Sequence, residues 1–410
     1  NQLKWQSTNV IVNSNYQFNP PTVGVVTLDV IDIFGKLYPN ATTTSFEADT
    51  LLSQPIRLDS IVSPTRQKLS KSDSIYFSFY IQPAGSNGQP WETIGSLPSY
   101  SDSIILDFFS PENGWEKVWA MGGIPLDSLF AQEKAYYKYV MIPITEDKYF
   151  TKEFRFRFRN IASLNNNPQL AYIGNCDQWN IDYVYLDKNR SITDTVIREL
   201  AFVDPAPSML KRYQAMPANQ YTEQEIADSL QIKIINLYSE ALSSVYKYFI
   251  KDEQENILHT YDGGFENISP YITTLSYQDA LSHCRPIVDY NFPINEDNWR
   301  TFSIIHTIKE GVGQDVLASN DTISFIQKFE NYFAYDDGSA ENGIGVEPIA
   351  GSHLAVAFDL NKSDTLTAVD IYFNSALNEA NLKQFYLCVW TSLNGIPYQM
   401  IHKTERLTPI

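Results

Sequence analysis

The 410-residue chain sets 48 acidic side chains against 30 basic ones, a net charge of −18, and so lacks the basic footprint of a nucleic-acid binder or of a protein drawn to an anionic membrane. Aromatic residues make up 14% of it and charged residues only 19%, a mixture suited to the half-buried pleat of β-sandwiches. No apolar run reaches the ~20 residues of a membrane helix, and three scattered cysteines, Cys176, Cys284 and Cys388, read as buried small hydrophobes rather than a disulfide framework.

In chain order, the first ten residues show neither a basic head nor an apolar stretch, so a signal for export would have been removed upstream of them. "SIYFSFYIQ" alternates, with Ile75, Phe77, Phe79 and Ile81 on one face. Trp91 and Trp115 fall near predicted loops and are candidates for stacking on a sugar ring, while Trp119 reads as core. "FRFRFRN" puts Phe154, Phe156 and Phe158 on one strand face and Arg155, Arg157 and Arg159 on the other. In "DQWNIDYVYLD", strict alternation gives one face to Trp179, Ile181, Tyr183 and Tyr185, and the other to Asp182, Val184 and Leu186. A carboxylate between two aliphatics is then buried, and must be hydrogen-bonded, paired with an arginine such as Arg57 or Arg155, or metal-bound.

The polar stretch 187–195 marks a first break. Beyond it, Thr222 and Glu225 fit a capping box for one short helix, and "YQDALSHC" suggests another. "SNDTISFIQKF" reads as a strand leaving the middle domain, and "FENYFAYDDGSAENGIG" (329–345) as the entry to a third, with Tyr332, Phe333 and Tyr335 packed against their neighbour. "TAVDIYFNS" and "FYLCVW" alternate again. The predicted fold is therefore all-β, as tandem sandwiches over 1–190, 191–328 and 329–410, the last short enough to need completion by further chain or by another partner.

None of the five histidines lies in HExxH or at zinc spacing, and no nucleophile elbow or phosphate loop occurs. From Asp337 the sixth place of a calcium loop holds Asn342 instead of glycine, which favours a turn. A glycosidase needs only two well-spaced carboxylates, and no stretch singles out such a pair. Asp followed by Ser or Thr and an aliphatic residue recurs at Asp49, Asp59, Asp73, Asp102, Asp127, Asp194, Asp228, Asp321 and Asp364, fitting Asx turns that lead into strands.

"VGVVTLDVIDIFGKLYP", "ADTLLSQPIRLDS", "NGWEKVWAMGG", "FRFRFRN" and "DQWNIDYVYLD", in that order across 23–187, resemble the MAM-like, laminin-G-like jelly rolls of Bacteroidetes surface and secretion proteins. "PSMLKRYQAMP" and the 329–345 stretch resemble segments that follow such a domain in proteins tied to type IX secretion. The resemblance implies a jelly roll, an immunoglobulin-like sandwich and a partial second jelly roll, at the cell surface or the periplasmic face of the outer membrane. It implies a non-catalytic protein-binding or structural part of the secretion and gliding machinery, such as a translocon plug. The alternatives are an exported carbohydrate-binding adhesin and, third, a glycoside hydrolase module. It also makes the Asp-Ser/Thr sites resemble an O-glycosylation signal. Beside hydrogen bonds or an arginine as the partner of Asp182, the resemblance adds a structural calcium as the alternative, with Asp29, Asp32, Glu47 and Asp49 as candidate further ligands.

Overall fold

The structure, a computed structural model, describes residues 4–6, 10–83, 102–164, 177–271, 282–295, 299–311, 316–338, 352–373 and 383–409. It is nearly all β, built from tandem β-sandwiches. The first contains β1 (Ile11–Asn13), β2 (Val25–Leu28), β3 (Phe46–Leu52), the short β4 (Ser60–Ile61) and β5 (Gln67–Lys68), β6 (Tyr76–Pro83), β7 (Ser103–Ser110), β8 (Gly114–Gly122), helix α1 (Leu126–Glu133), β9 (Lys138–Pro143), β10 (Arg155–Ala162) and β11 (Trp179–Asp187). One sheet runs β1-β2-β11-β6-β9 and the facing one β3-β10-β7-β8. Between them Phe77, Phe79, Phe108, Phe154, Phe158 and Trp179 are almost fully buried, with rings meeting edge to face. The alternation in "SIYFSFYIQ" and "FRFRFRN" thus delivered the apolar face that each strand turns inward.

β11 departs from strict alternation. Its ladder to β6 pairs Asp182 with Tyr80 but Tyr185 with Ser78, so the segment holds one extra residue, and Tyr183 takes φ of 49°. The bulge returns Val184 and Leu186 to the same core as Trp179 and Ile181. Tyr183 and Tyr185 turn outward, toward the second sandwich. The faces expected from the sequence therefore hold only up to Asp182.

The second sandwich comprises β12 (Leu200–Phe202), β13 (Ala215–Pro217), β14 (Ile234–Asn236), β15 (Leu242–Lys251), β16 (Ile257–Ile268), β17 (Arg300–Glu310) and β18 (Thr322–Glu330). Its main sheet runs β13-β18-β17-β15-β16 and faces the β12–β14 pair across a core containing Phe202, Ile234, Tyr246, Tyr248, Phe302 and Phe329. The expected helix at Thr222 is a single 3₁₀ turn, Glu223–Glu225, with no hydrogen bond from the Thr222 side chain. Of "YQDALSHC", only Ser282–Cys284 falls among the described residues, also as a 3₁₀ turn. Helix α1, of eight residues and with no side-chain cap at Pro125, forms where the sequence pattern predicts none.

The polar stretch after β11 is tied down. The Asn189 N–H donates to the Asp73 carbonyl, and Arg190, only 7% exposed, donates to Asp194 (2.9 Å), Ser78 Oγ (2.8 Å) and the Tyr139 hydroxyl (2.8 Å). Beside this latch, Tyr80, Tyr139, Tyr183 and Tyr185 pack against Ile197, Val203, Ile235 and Leu237 of the second sandwich. Polarity here supplies partners for a buried guanidinium.

In the 329–345 stretch, Phe329 is core and Phe333 packs against it, while Tyr332 and Tyr335 remain 38% and 44% exposed. Tyr213 gathers Phe333, Tyr335 and Phe358 around it, and Arg212 ties Asp359 to Glu225. β19 (Cys388–Leu393) and β20 (Ile396–Lys403) then form a hairpin whose second strand is exposed on both faces. Val369 and Ile371, expected on a strand, lie outside any strand at 44% and 47% exposure. Among the described residues no helix is long and apolar enough to cross a membrane.

Candidate functional site

At one end of the first sandwich, polar residues replace the apolar core. β2 ends in Leu28, and the following Asp29 turns between the sheets at 1% exposure. Its N–H donates to Asp49 Oδ2 (2.8 Å) on β3, and its Oδ1 accepts from the Ile31 N–H (2.9 Å). A bulge between β3 and β10 leaves room for Asn160, which accepts from the Asp49 N–H (2.7 Å) and donates to the Asp29 carbonyl (3.0 Å). Tyr38 donates its hydroxyl to Asp49 Oδ1. Asp177, fully buried just ahead of β11, accepts from the Ser163 N–H (2.7 Å), and the Ser163 hydroxyl donates to Asp102 (2.9 Å).

These carboxylates are poorly compensated. Burial, then the charge of Asp49, with Asp177 and Asp32 adding to it, hold Asp29 well above the ordinary carboxylate range. Burial and Asp32 raise Asp49 likewise, against the lowering by Tyr38. Burial also raises Asp102. The described residues put no Lys or Arg in an ion pair with Asp29, Asp49 or Asp102, and Asp29 Oδ2 and Asp102 Oδ1 are buried with no hydrogen-bond partner. Among the described residues no three His, Cys, Asp or Glu side chains are already gathered to hold a metal ion. The hard oxygen set and the orphaned Asp29 Oδ2 nonetheless suit calcium.

Of the five carboxylates expected to act together, Asp29, Asp32 and Asp49 fall within mutual electrostatic reach, and Asp177 joins them. Glu47 points to solvent, where its nearest cation is Arg159 at 3.7 Å. Asp182 is held elsewhere. It accepts from the Thr22 N–H (2.7 Å), the Thr22 hydroxyl (2.9 Å) and the Tyr183 N–H (2.6 Å). Neither expected arginine reaches it: Arg57 pairs with Asp59 and Arg155 lies on the outer face of the other sheet. Burial pushes Asp182 up to about 7 against those three hydrogen bonds. Its bonds hold the bulge that aims the Tyr183 hydroxyl at Glu199 Oε2 (2.6 Å) of the second sandwich. Replacing Asp182 by Ala strands three buried donors, so a loss of about 2–4 kcal/mol is expected at neutral pH, read by chemical denaturation. A loss below about 0.5 kcal/mol would show that the bulge holds itself.

The outer face of β10-β7-β8 carries the second constellation. Asp107 is clasped by Arg157 Nε and Arg159 Nε, each at 2.8 Å, and the two arginines hold its carboxyl below the ordinary range against the opposing effect of burial. The Arg155 guanidinium lies 4.1 Å over Phe109 and 5.7 Å from Trp115, and Arg157 lies 4.6 Å over Trp115. The Trp115 ring, a candidate for sugar stacking, is thus overlaid by guanidinium groups and orients them. Trp91 lies outside the described residues. Among the Asp-Ser/Thr sites, Ser60 is 6% exposed, whereas Ser74, Thr195, Ser229, Thr322 and Thr365 lie exposed.

Sequence reading missed Asp102 and Asp177. The first looked like one of nine Asx turns, and the second stood outside the alternating run that drew attention to Asp182. Arg157 and Arg159 were visible as an outward row, but not the Asp107 that joins them.

No family model matches the chain, and no curated protein matches it. Solved structures with partial likeness include a putative β-galactosidase of Bacteroides fragilis (10% identity, TM-score 0.26, 80% of this chain and 41% of that one). They also include β-glucuronidases of Parabacteroides merdae (12%, 0.27, 69% and 27%) and Ruminococcus gnavus (8%, 0.22, 80% and 47%). The chain spans less than half the length of each, and at these scores the likeness carries no argument about activity.

Proposed function

We propose that this chain is a non-catalytic, protein-binding component of the outer-membrane type IX export machinery, acting at the periplasmic face or the cell surface. The observation that supports a binding role is the arginine-aromatic face of β10-β7-β8, since Arg and Trp are the side chains that most often dominate protein interfaces. The resemblance of the sequence supports the compartment. The buried carboxylates would contribute stability only through an ion: Asp29 and Asp49, with Asp32 and Asp177 beside them, would hold a calcium that pins the chain after β2 and ahead of β11. The ion's part is structural, a positive charge among acids that otherwise repel.

The test is cross-linking in intact membranes followed by purification through this chain. A large outer-membrane protein is expected as the partner, and deletion of the gene is expected to alter export or permeability and to leave growth on polysaccharide unchanged. Tight binding to a defined glycan, with no protein partner, would replace this reading by the adhesin.

A further inference from the structure

We infer that the outer face of β10, β7 and β8 is the docking site for an extended acidic segment of a partner protein. This rests on the protein-binding reading and names the chemistry of the partner. The chain carries net −18, yet here Arg155, Arg157, Arg159 and Lys117 face only two carboxylates, Asp107 at their centre and the exposed Glu47, 3.7 Å from Arg159. Asp107 takes only the Nε donors of Arg157 and Arg159. Among the described residues Arg155 has no carboxylate partner, and its Nε is buried with no acceptor. A guanidinium offers five donors, so the fork of Arg155 and the outward end of Arg157 remain to be satisfied, while that of Arg159 is met only loosely by Glu47 at 3.7 Å. Phe109 and Trp115 hold the forks of Arg155 and Arg157 flat, which lowers the entropy lost when a carboxylate is gripped bidentately.

Spacing selects the occupant. The three arginines spring from residues i, i+2 and i+4 of β10, whose backbone repeat of about 6.7 Å is the one at which an extended polypeptide presents every second side chain, and Arg157 and Arg159 lean together on Asp107. A peptide with acids at alternate positions therefore matches the row in both period and charge. Long-range repulsion from the rest of the chain is screened beyond about 8 Å at physiological salt, whereas contacts at hydrogen-bond distance are not.

The test uses fluorescent poly-L-glutamate and, in parallel, alginate as a polyuronate, with the full chain at 0.15 M salt and binding read by anisotropy. Poly-L-glutamate is expected to bind, Arg155→Gln to weaken it at least tenfold, and Arg155→Lys to weaken it less, because a point charge keeps attraction but loses the fork. As a check independent of any variant, poly-L-glutamate is expected to shield Arg155 of the unaltered protein from phenylglyoxal, read by peptide mass. Equal binding by Arg155→Gln, an unshielded Arg155, or binding of alginate alone would overturn the inference. If membrane cross-linking captures its partner equally well with Arg155→Gln, this face is excluded while the protein-binding reading stands. Capture of no protein at all would instead remove that reading.

Discussion

Millimolar calcium is expected to raise the melting temperature of the first sandwich by about 5–10 °C over the chelator-treated protein. A ligand that binds only the folded state at a hundred times its dissociation constant adds about 2.7 kcal/mol, and a unit of this size shifts by roughly 2–4 °C for each of those. The gain comes from charge. Asp29 and Asp49 are buried together without a cation, so without the ion they are held uncharged by proton uptake or repel each other. Asp29→Asn separates the two contributions. Its amide oxygen can keep the bond from the Ile31 N–H, and its amide nitrogen would stand where Oδ2 has no partner. In chelator the variant is expected to melt at or above the unaltered protein, because the repulsion is gone. In calcium it is expected to melt below it, because a ligand is gone. Melting temperatures of the unaltered protein that coincide in chelator and in calcium would leave this group as protonated core acids and remove the ion.

The strands were legible because burial on one face of a sheet writes itself as period two, and Phe154, Phe156 and Phe158 stand where that period puts them. The alternation failed at Tyr183, where a bulge with positive φ is held by Asp182 and by Glu199 of the second sandwich. Nothing local to a tyrosine signals that conformation, since it is enforced by partners distant in sequence. The acidic group shows the same limit. Asp29, Asp102 and Asp177 sit just beyond the ends of three strands and Asp49 within a fourth, and only the register of β11 on β2 and of β10 on β3 brings them to one end of the sandwich. Sequence reading found Asp29 and Asp49 as acids beside turns, but it grouped them with Asp182 and Glu47, which the ladders carry elsewhere. The arginine row needed only one strand, and so was read directly.

Acid is expected to act on the two sandwiches in opposite directions. His306, on β17, is fully buried and shares a hydrogen bond with the Tyr246 hydroxyl through Nδ1 (2.7 Å), while its Nε2 has no partner. Burial pushes it down to about 4. An unfolded histidine titrates near 6.5, so between about pH 6.5 and 4 the unfolded chain takes up a proton that the folded one refuses. Stability of the second sandwich is therefore intact above that window and falls as pH drops through it, by about 3 kcal/mol at the acid end. In the first sandwich the sign is reversed. Asp182, at about 7, and the raised Asp29 and Asp49 bind protons more tightly when folded, so acidification from about pH 7 toward 4 stabilises it in the absence of calcium. Hydrogen exchange of calcium-free protein at pH 7 and pH 4.5, corrected for intrinsic rates, reads both at once. Protection of β15 and β17 is expected to fall while that of β6 and β11 holds or rises. His306→Gln, whose amide can still meet the Tyr246 hydroxyl, is expected to flatten the loss in β15 and β17 and to leave β6 and β11 unchanged. An unaltered acid loss in that variant would assign the sensitivity of the second sandwich to another group.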